Sequence, residues 1–216
     1  MAPKVRSYES DAIVVDYDLK RCIHAAECVH GLPSVFDPDK RPWIEPGGAA
    51  ADELARVIER CPTGALQYRR KDGGPAEAPP AGNTVRISPD GPVYVSGRVR
   101  LTLPSGETIE ETRMALCRCG QSRNKPFCDN AHAEAGFSDG GVVIDNQLRD
   151  AEDDDAGVLE ITLARNGPLL MRGPVEIQSA DGSACSGARG ALCRCGHSAN
   201  KPFCDGSHAR QGFEAE

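Results

Sequence analysis

A block from Ala115 to His132 recurs 76 residues later, without a gap, as Ala191 to His208. Fourteen of its eighteen positions are identical, including three cysteines and the closing histidine. The alignment extends outward in the same register: Gly91-Pro92 matches Gly167-Pro168, Gly97 matches Gly173, Gly106 matches Gly182, and Gly136-Phe137 matches Gly212-Phe213. Such a chain must fold its second half as two copies of one small unit with the same local geometry. Apolar pairs at a period of two (Val85/Ile161, Ile87/Leu163, Val93/Leu169, Val95/Met171, Val99/Val175, Leu101/Ile177) make the unit a set of short strands. Pro104 to Glu107 and Ala180 to Ser183 read as turns.

The remainder divides by composition. Residues 1–70 show alternation at Ile13, Val15 and Tyr17, then a helical face of Leu54, Val57, Ile58 and Cys61, then a returning strand from Ala65 to Tyr68. Residues 71–82 are rich in Gly, Pro and Ala without periodicity and read as a linker. The first copy occupies 83–147 and the second 158–216. Between them, 148–157 contains Glu152-Asp153-Asp154-Asp155, expected to be a solvated tether.

Only 5% of residues are aromatic, whereas Gly and Pro number 23 and 16. Small lobes with so little to bury need a staple, and ten cysteines are available as one. The polar start and the absence of a long apolar run predict a cytoplasmic protein without a membrane segment. There the cysteines stay reduced and serve as ligands. A net charge of −7 argues against nucleic acid, because phosphate binding needs a basic stripe.

Each copy offers Cys-x-Cys, eight residues, Cys, three residues and His. The tight pair suits two thiolates on one iron of a binuclear cluster, and the distant Cys and His suit the second iron. Zinc also accepts three cysteines and a histidine, but its cysteines are usually two to four residues apart. Asp129 and Asp205 are expected to N-cap short helices carrying His132 and His208. Asn130 and Gly206 mark a position of positive φ. Cys185 aligns with Ile109 and is expected to pack as a small hydrophobe. His197 aligns with Gln121 and is not expected to be a ligand, and Lys125 and Lys201 flank each motif as solvated or docking residues.

The run Cys204-Asp205-Gly206-Ser207-His208, with Cys193, Cys195, Ser198 and Pro202, resembles the signature of CDGSH-type iron–sulfur (NEET) proteins. The first copy departs at Asn130 and Ala131 but keeps every ligand. The resemblance, covering about residues 83–216, implies one 2Fe–2S cluster on Cys117, Cys119, Cys128 and His132, and another on Cys193, Cys195, Cys204 and His208. It further implies an α+β chain whose two units, each of short strands and one short helix, pair as an intramolecular pseudo-dimer. The protein would then be monomeric with internal twofold pseudosymmetry. A single neutral imidazole raises the reduction potential over an all-thiolate site, and its protonation in mild acid would detach it.

Cys22 and Cys28, with the later Cys61-Pro62, resemble divergent single-cluster ferredoxins, in which the central cysteine is here Ala25. The resemblance implies a small ferredoxin-like lobe with a 3Fe–4S or 4Fe–4S cluster on Cys22, Cys28 and Cys61, or such a fold without its cluster. His24 and His30 are read as loop residues, and Trp43 as packing against this lobe. The function expected is one-electron transfer with redox-partner proteins, without an enzymatic active site. The alternatives are a cluster or iron donor or redox sensor acting on apo-acceptor proteins, and a zinc-stapled adaptor.

Overall fold

In the computed structural model, which describes residues 5–150 and 157–215, the strand alternation of the sequence becomes two separate sheets. The chain divides into an N-terminal lobe, Met1–Ala78, and a C-terminal lobe, Pro79–Glu216. Both mix strands with short helices, and strands dominate.

In the N-terminal lobe, strands β1 (Val5–Glu9), β2 (Ile13–Asp18) and β3 (Leu66–Arg70) form an antiparallel sheet in that order. Val15 faces Tyr68 across the β2–β3 ladder, so the alternating residues of both strands point to one side. That side is covered by α1 (Glu27–Gly31) and α2 (Ala51–Ile58). Helix α2 buries Leu54, Ala55, Val57 and Ile58, whereas Cys61 lies just beyond its end. Trp43 packs edge-on against Tyr17, with ring centroids 4.9 Å apart, and tilts over Phe36.

The C-terminal lobe holds β4 (Thr84–Ile87), β5 (Val93–Thr102), β6 (Thr108–Leu116) and α3 (Ala131–Glu134), then β7 (Leu159–Leu163), β8 (Leu169–Gln178), β9 (Ala184–Leu192) and α4 (Ser207–Arg210). Within each copy the long strands pair as hairpins, β5 with β6 and β8 with β9. The short strands also cross over: β4 pairs in parallel with β8, and β7 in parallel with β5. These pairings obey the 76-residue step, since Val85 faces Ile177 and Leu101 faces Ile161. Each long hairpin carries a register shift, at Ser96/Val99 and at Arg172/Val175. There Gly97 and Gly173 take positive φ. Beyond these shifts the same two hairpins add a different short strand: β4 lies between β5 and β8 on one side, and β7 on the other. The result is two layers sharing four bent strands, the role bulges commonly serve in closed sheets. The inward residues Val85, Val95, Leu101, Ile161, Met171 and Ile177 form one core with Phe203.

Strands β6 and β9 were not legible in advance, because neither Thr108–Leu116 nor Ala184–Leu192 alternates cleanly. Cys185 pairs with Ile177 as Ile109 pairs with Leu101, and it packs against the same core. The segment expected to be a tether begins with ordered residues: Leu148 packs on the core, and Arg149 bridges to Arg189 of β9. Its acidic run, Glu152 to Asp155, lies outside the described residues. Among the described residues no helix is long and apolar enough to cross a membrane.

Candidate metal centres

Each Cys-x-Cys pair follows the last residue of a long strand, so the first cysteine inherits the strand's rigidity. Cys117 N–H donates to the Pro126 carbonyl at 2.8 Å, and Cys128 N–H donates to the Ala115 carbonyl at 2.9 Å. Cys193 with Pro202, and Cys204 with Ala191, repeat the arrangement at 2.8 and 2.9 Å. These bonds hold the third cysteine of each copy against the strand end that bears the first.

The loop between is clamped by a serine. Ser122 Oγ donates to the Phe127 carbonyl at 2.7 Å and accepts from Asn124 N–H at 3.0 Å. Ser198 does the same with Phe203 and Asn200, at 2.6 and 3.0 Å. Asp129 and Asp205 are not the helix N-caps expected; those are Asn130 and Gly206, with φ of 68° and 81°. Each aspartate stands one residue earlier because its two oxygens join separate segments. Asp129 accepts from Arg123 and Ala131 N–H, at 2.8 and 3.1 Å, and Asp205 from Ala199 and Ser207 N–H, both at 2.9 Å. The carboxylate thereby ties the Cys-x-Cys loop to the turn that presents the histidine. Such bonds hold Asp205 well below the ordinary carboxylate range.

Cys117 Sγ and Cys119 Sγ are 3.7 Å apart, as are Cys193 Sγ and Cys195 Sγ. Cys128 Sγ lies 3.5 Å from His132 Nδ1. Two thiolates on one tetrahedral metal at about 2.3 Å lie about 3.8 Å apart, and a thiolate and an imidazole nitrogen at about 2.3 and 2.0 Å lie about 3.5 Å apart. In the first copy the donors are therefore spaced in twos, at the bite of one metal per pair, and in the second copy Cys193 and Cys195 are spaced the same way. Among the described residues no three Cys, His, Asp or Glu side chains converge on a single point. Among the described residues no such contact links Cys204 to His208.

Backbone N–H groups face the sulfurs. Gln121 donates to Cys119 at 3.4 Å, Asn130 to Cys128 at 3.5 Å, His197 to Cys195 at 3.5 Å and Gly206 to Cys204 at 3.4 Å. Such donors favour the thiolate that a metal needs. Without metal, burial opposes them and pushes Cys128 and Cys195 up to about 11. The bond shared with Cys119 raises Cys117 further. Metal loading must release these protons. Burial also moves His132 downward, toward the neutral imidazole that ligation requires.

The two sites approach one another through glycines. A Cβ on Gly120 would stand 2.5 Å from the Cys195 carbonyl oxygen, and one on Gly196 would stand 2.6 Å from that of Cys119. Both glycines also have positive φ, 78° and 86°. No side chain is tolerated on either, for backbone and for space.

Sequence reasoning passed over Arg118 and Arg194, the middle residues of the two Cys-x-Cys pairs, which are each 1% exposed. Their identity in both copies was the available signal. Arg118 donates to the Gly91 and Ser88 carbonyls at 3.0 and 2.6 Å, pairs with Asp139 and lies over the Phe137 ring. Arg194 donates to the Gly167 and Ala164 carbonyls at 2.9 and 2.7 Å and lies over Phe213.

In the N-terminal lobe, Cys22, Cys28 and Cys61 line one cavity of about 910 Å³, together with Tyr17, His24 and Ala25. His30 is not among its lining residues. Cys61 Sγ lies 3.5 Å from Thr63 Oγ1, and burial pushes Cys28 up to about 11. Burial and a hydrogen bond to Cys22 raise the Tyr17 hydroxyl further.

Comparison with known proteins finds three matching stretches along the chain. Residues 8–71 match the family model described as a divergent 4Fe–4S mono-cluster. Residues 90–133 and 166–209 each match the model described as an iron-binding zinc finger of CDGSH type. The chain is 36% identical over 66 residues to the protein named "Uncharacterized protein YjdI" of Escherichia coli strain K12, covering 31% of this chain and 87% of that one. The protein of the same name from Escherichia coli O157:H7 matches to the same extent. No solved structure matches the chain.

Proposed function

Given that the chain belongs to the CDGSH family, with a tandem pair of such domains behind a divergent 4Fe–4S mono-cluster domain, we propose that it is a one-electron carrier. It holds 2Fe–2S clusters on Cys117, Cys119, Cys128 and His132, and on Cys193, Cys195, Cys204 and His208. A third cluster sits in the N-terminal lobe on Cys22, Cys28 and Cys61. The observation that carries this reading is the spacing of donors in twos, at 3.7 and 3.5 Å, with N–H groups turned toward the sulfurs. A binuclear core takes two ligands per iron, whereas one tetrahedral zinc takes four donors around a single point.

When bound, such a core supplies a single-electron couple. The protein's part is to bind and insulate it. Burial of Cys117, Cys119 and Cys128 excludes water, and the N–H donors favour the extra negative charge of reduction. The pairing of β4 with β8 and β7 with β5 supports an intramolecular pseudo-dimer. In it two clusters share one rigid frame and no second chain is needed. The N-terminal lobe is then a ferredoxin-like module, its partners are redox proteins, and the setting is the cytoplasm.

One observation favours a second reading, in which the protein donates clusters to apo-acceptors: His132 and His208 are half-exposed on single-turn helices. Anaerobic iron and sulfide analysis with EPR tests the first reading. About seven or eight irons per chain are expected, and about four would leave the N-terminal lobe empty. Material without acid-labile sulfide would overturn it. Incubation with an apo-ferredoxin separates carrier from donor, since a carrier keeps its iron.

A further inference from the structure

A cubane cluster has four irons, yet the N-terminal lobe offers three cysteines to the cavity described above. The position at which a bacterial ferredoxin places its central thiolate holds Ala25, whose methyl group can donate nothing. We propose that His24 supplies the missing ligand, so that the lobe binds its cluster by three thiolates and one imidazole. This rests on the reading of the lobe as a cluster site.

Three features of the chain carry it. His24 lines the same cavity as Cys22, Cys28 and Cys61, whereas His30 does not. Its ring has no hydrogen-bond or ion-pair partner among the described residues, so both nitrogens are available to a metal. The backbone around the empty position is also reversed: His24 and Ala26 take φ of 57° and 62°, flanking Ala25. Residues with a Cβ rarely adopt that conformation, and where they do, neighbouring structure holds them there for a purpose. Here the residue next to Ala25 lines the cavity. Glu27 lines the cavity too. Imidazole is nevertheless the better-matched donor to an iron–sulfur core, as Rieske centres demonstrate, whereas carboxylates suit harder ions. The lobe would then resemble the two C-terminal sites in ligand type, three sulfurs and one nitrogen.

The test uses the full chain grown with ¹⁵N-histidine and reconstituted anaerobically. It carries His132→Cys and His208→Cys, so that no imidazole ligand remains in the CDGSH sites and only the His197 N–H still faces a sulfur there. Pulsed EPR of the reduced N-terminal cluster is expected to show a ¹⁵N coupling. The coupling should vanish in His24→Ala, while His24→Cys keeps the cluster's iron without it. After mild oxidation His24→Ala should fall from about four to about three irons in the lobe. A lobe full of iron but without the coupling overturns the assignment of His24 alone. So does a coupling that survives His24→Ala, or iron loss that follows Glu27→Ala instead. A lobe that takes up no iron overturns the cluster reading and this ligand together. Failure of the double variant to load its CDGSH sites leaves the N-terminal signal readable.

Discussion

The two CDGSH copies share ligands, serine clamp, aspartate tie and buried arginine, yet differ in what neutralises that arginine. Arg118 has the Asp139 carboxylate, which also lies 4.0 Å from Lys201 of the other copy. The equivalent of Asp139 in the second copy is Ala215, so among the described residues the hydrogen-bond partners of Arg194 are carbonyls: Gly167, Ala164 and, at 3.4 Å, Ala215 itself. Its Nη1 has no partner among the described residues, and burial pushes the guanidinium down from its usual value. Three carbonyls and an aromatic face therefore suffice to hold a buried arginine between two cysteines. The carboxylate is a local addition that changes the charge beside the arginine and also accepts from Gly141 N–H at 3.1 Å. Duplication kept the cage and varied the field around it.

The comparison can be broken outright by removing one cage. Cys128→Ser and Cys204→Ser should each remove about two irons per chain, read by iron analysis and visible absorbance, while the other copy keeps its own. Loss of both clusters from either variant would mean that the cages assemble as one. Next in size are Gly120→Ala and Gly196→Ala. Each forces a methyl group onto a carbonyl of the opposite copy, in a backbone conformation that already disfavours it. A loss of at least about 2 kcal/mol is expected in denaturant titration.

Asp139→Ala sharpens the comparison by making the first copy like the second. Because Arg118 retains two carbonyls, the cost should be about 1–3 kcal/mol. The full penalty for stranding a buried charge, about 3–5 kcal/mol, would instead show that the carbonyls do not suffice. The first cluster should become easier to reduce, by an amount on the order of tens of millivolts, in an EPR-monitored potential titration. Ala215→Asp should move the second cluster the opposite way.

The smallest effect concerns pH in cluster-free protein. Burial lowers the pKa of His132, so the folded state favours neutral imidazole. The unfolded chain protonates first, near the ordinary value of about 6.5. This contribution is complete above that value and is lost as the pH falls below it toward the depressed folded value. Thermal melts should show that loss below about pH 6.5 and its disappearance in His132→Asn.

Much of this site was legible because ligand spacing is local and repeated. Cys117, Cys119, Cys128 and His132 could be grouped by reading one short segment, and the positive φ of Asn130 followed from its exchange with Gly206. Strand partners were another matter. That β4 pairs with β8 depends on contacts between residues some ninety positions apart, which no period of two can reveal. Asp129 was misplaced by one residue because its neighbour's left-handed turn, not the carboxylate, begins the helix. Arg118 escaped because arginine ordinarily signals surface; the Asp139 carboxylate, the Phe137 ring and two carbonyls around it make burial tolerable. His24 looked like an ordinary loop residue, and nothing in the sequence shows that it lines the same cavity as three thiols.

The exchange of β4 and β7 between copies bears on how the chain is born. A ribosome delivers the first copy complete while β8, the partner of β4, is still inside the synthesis machinery. Until then Thr84, Val85 and Arg86 lack one neighbouring strand. Completion of the shared sheet must therefore wait for β8, so the first copy finishes folding only once much of the second has been made.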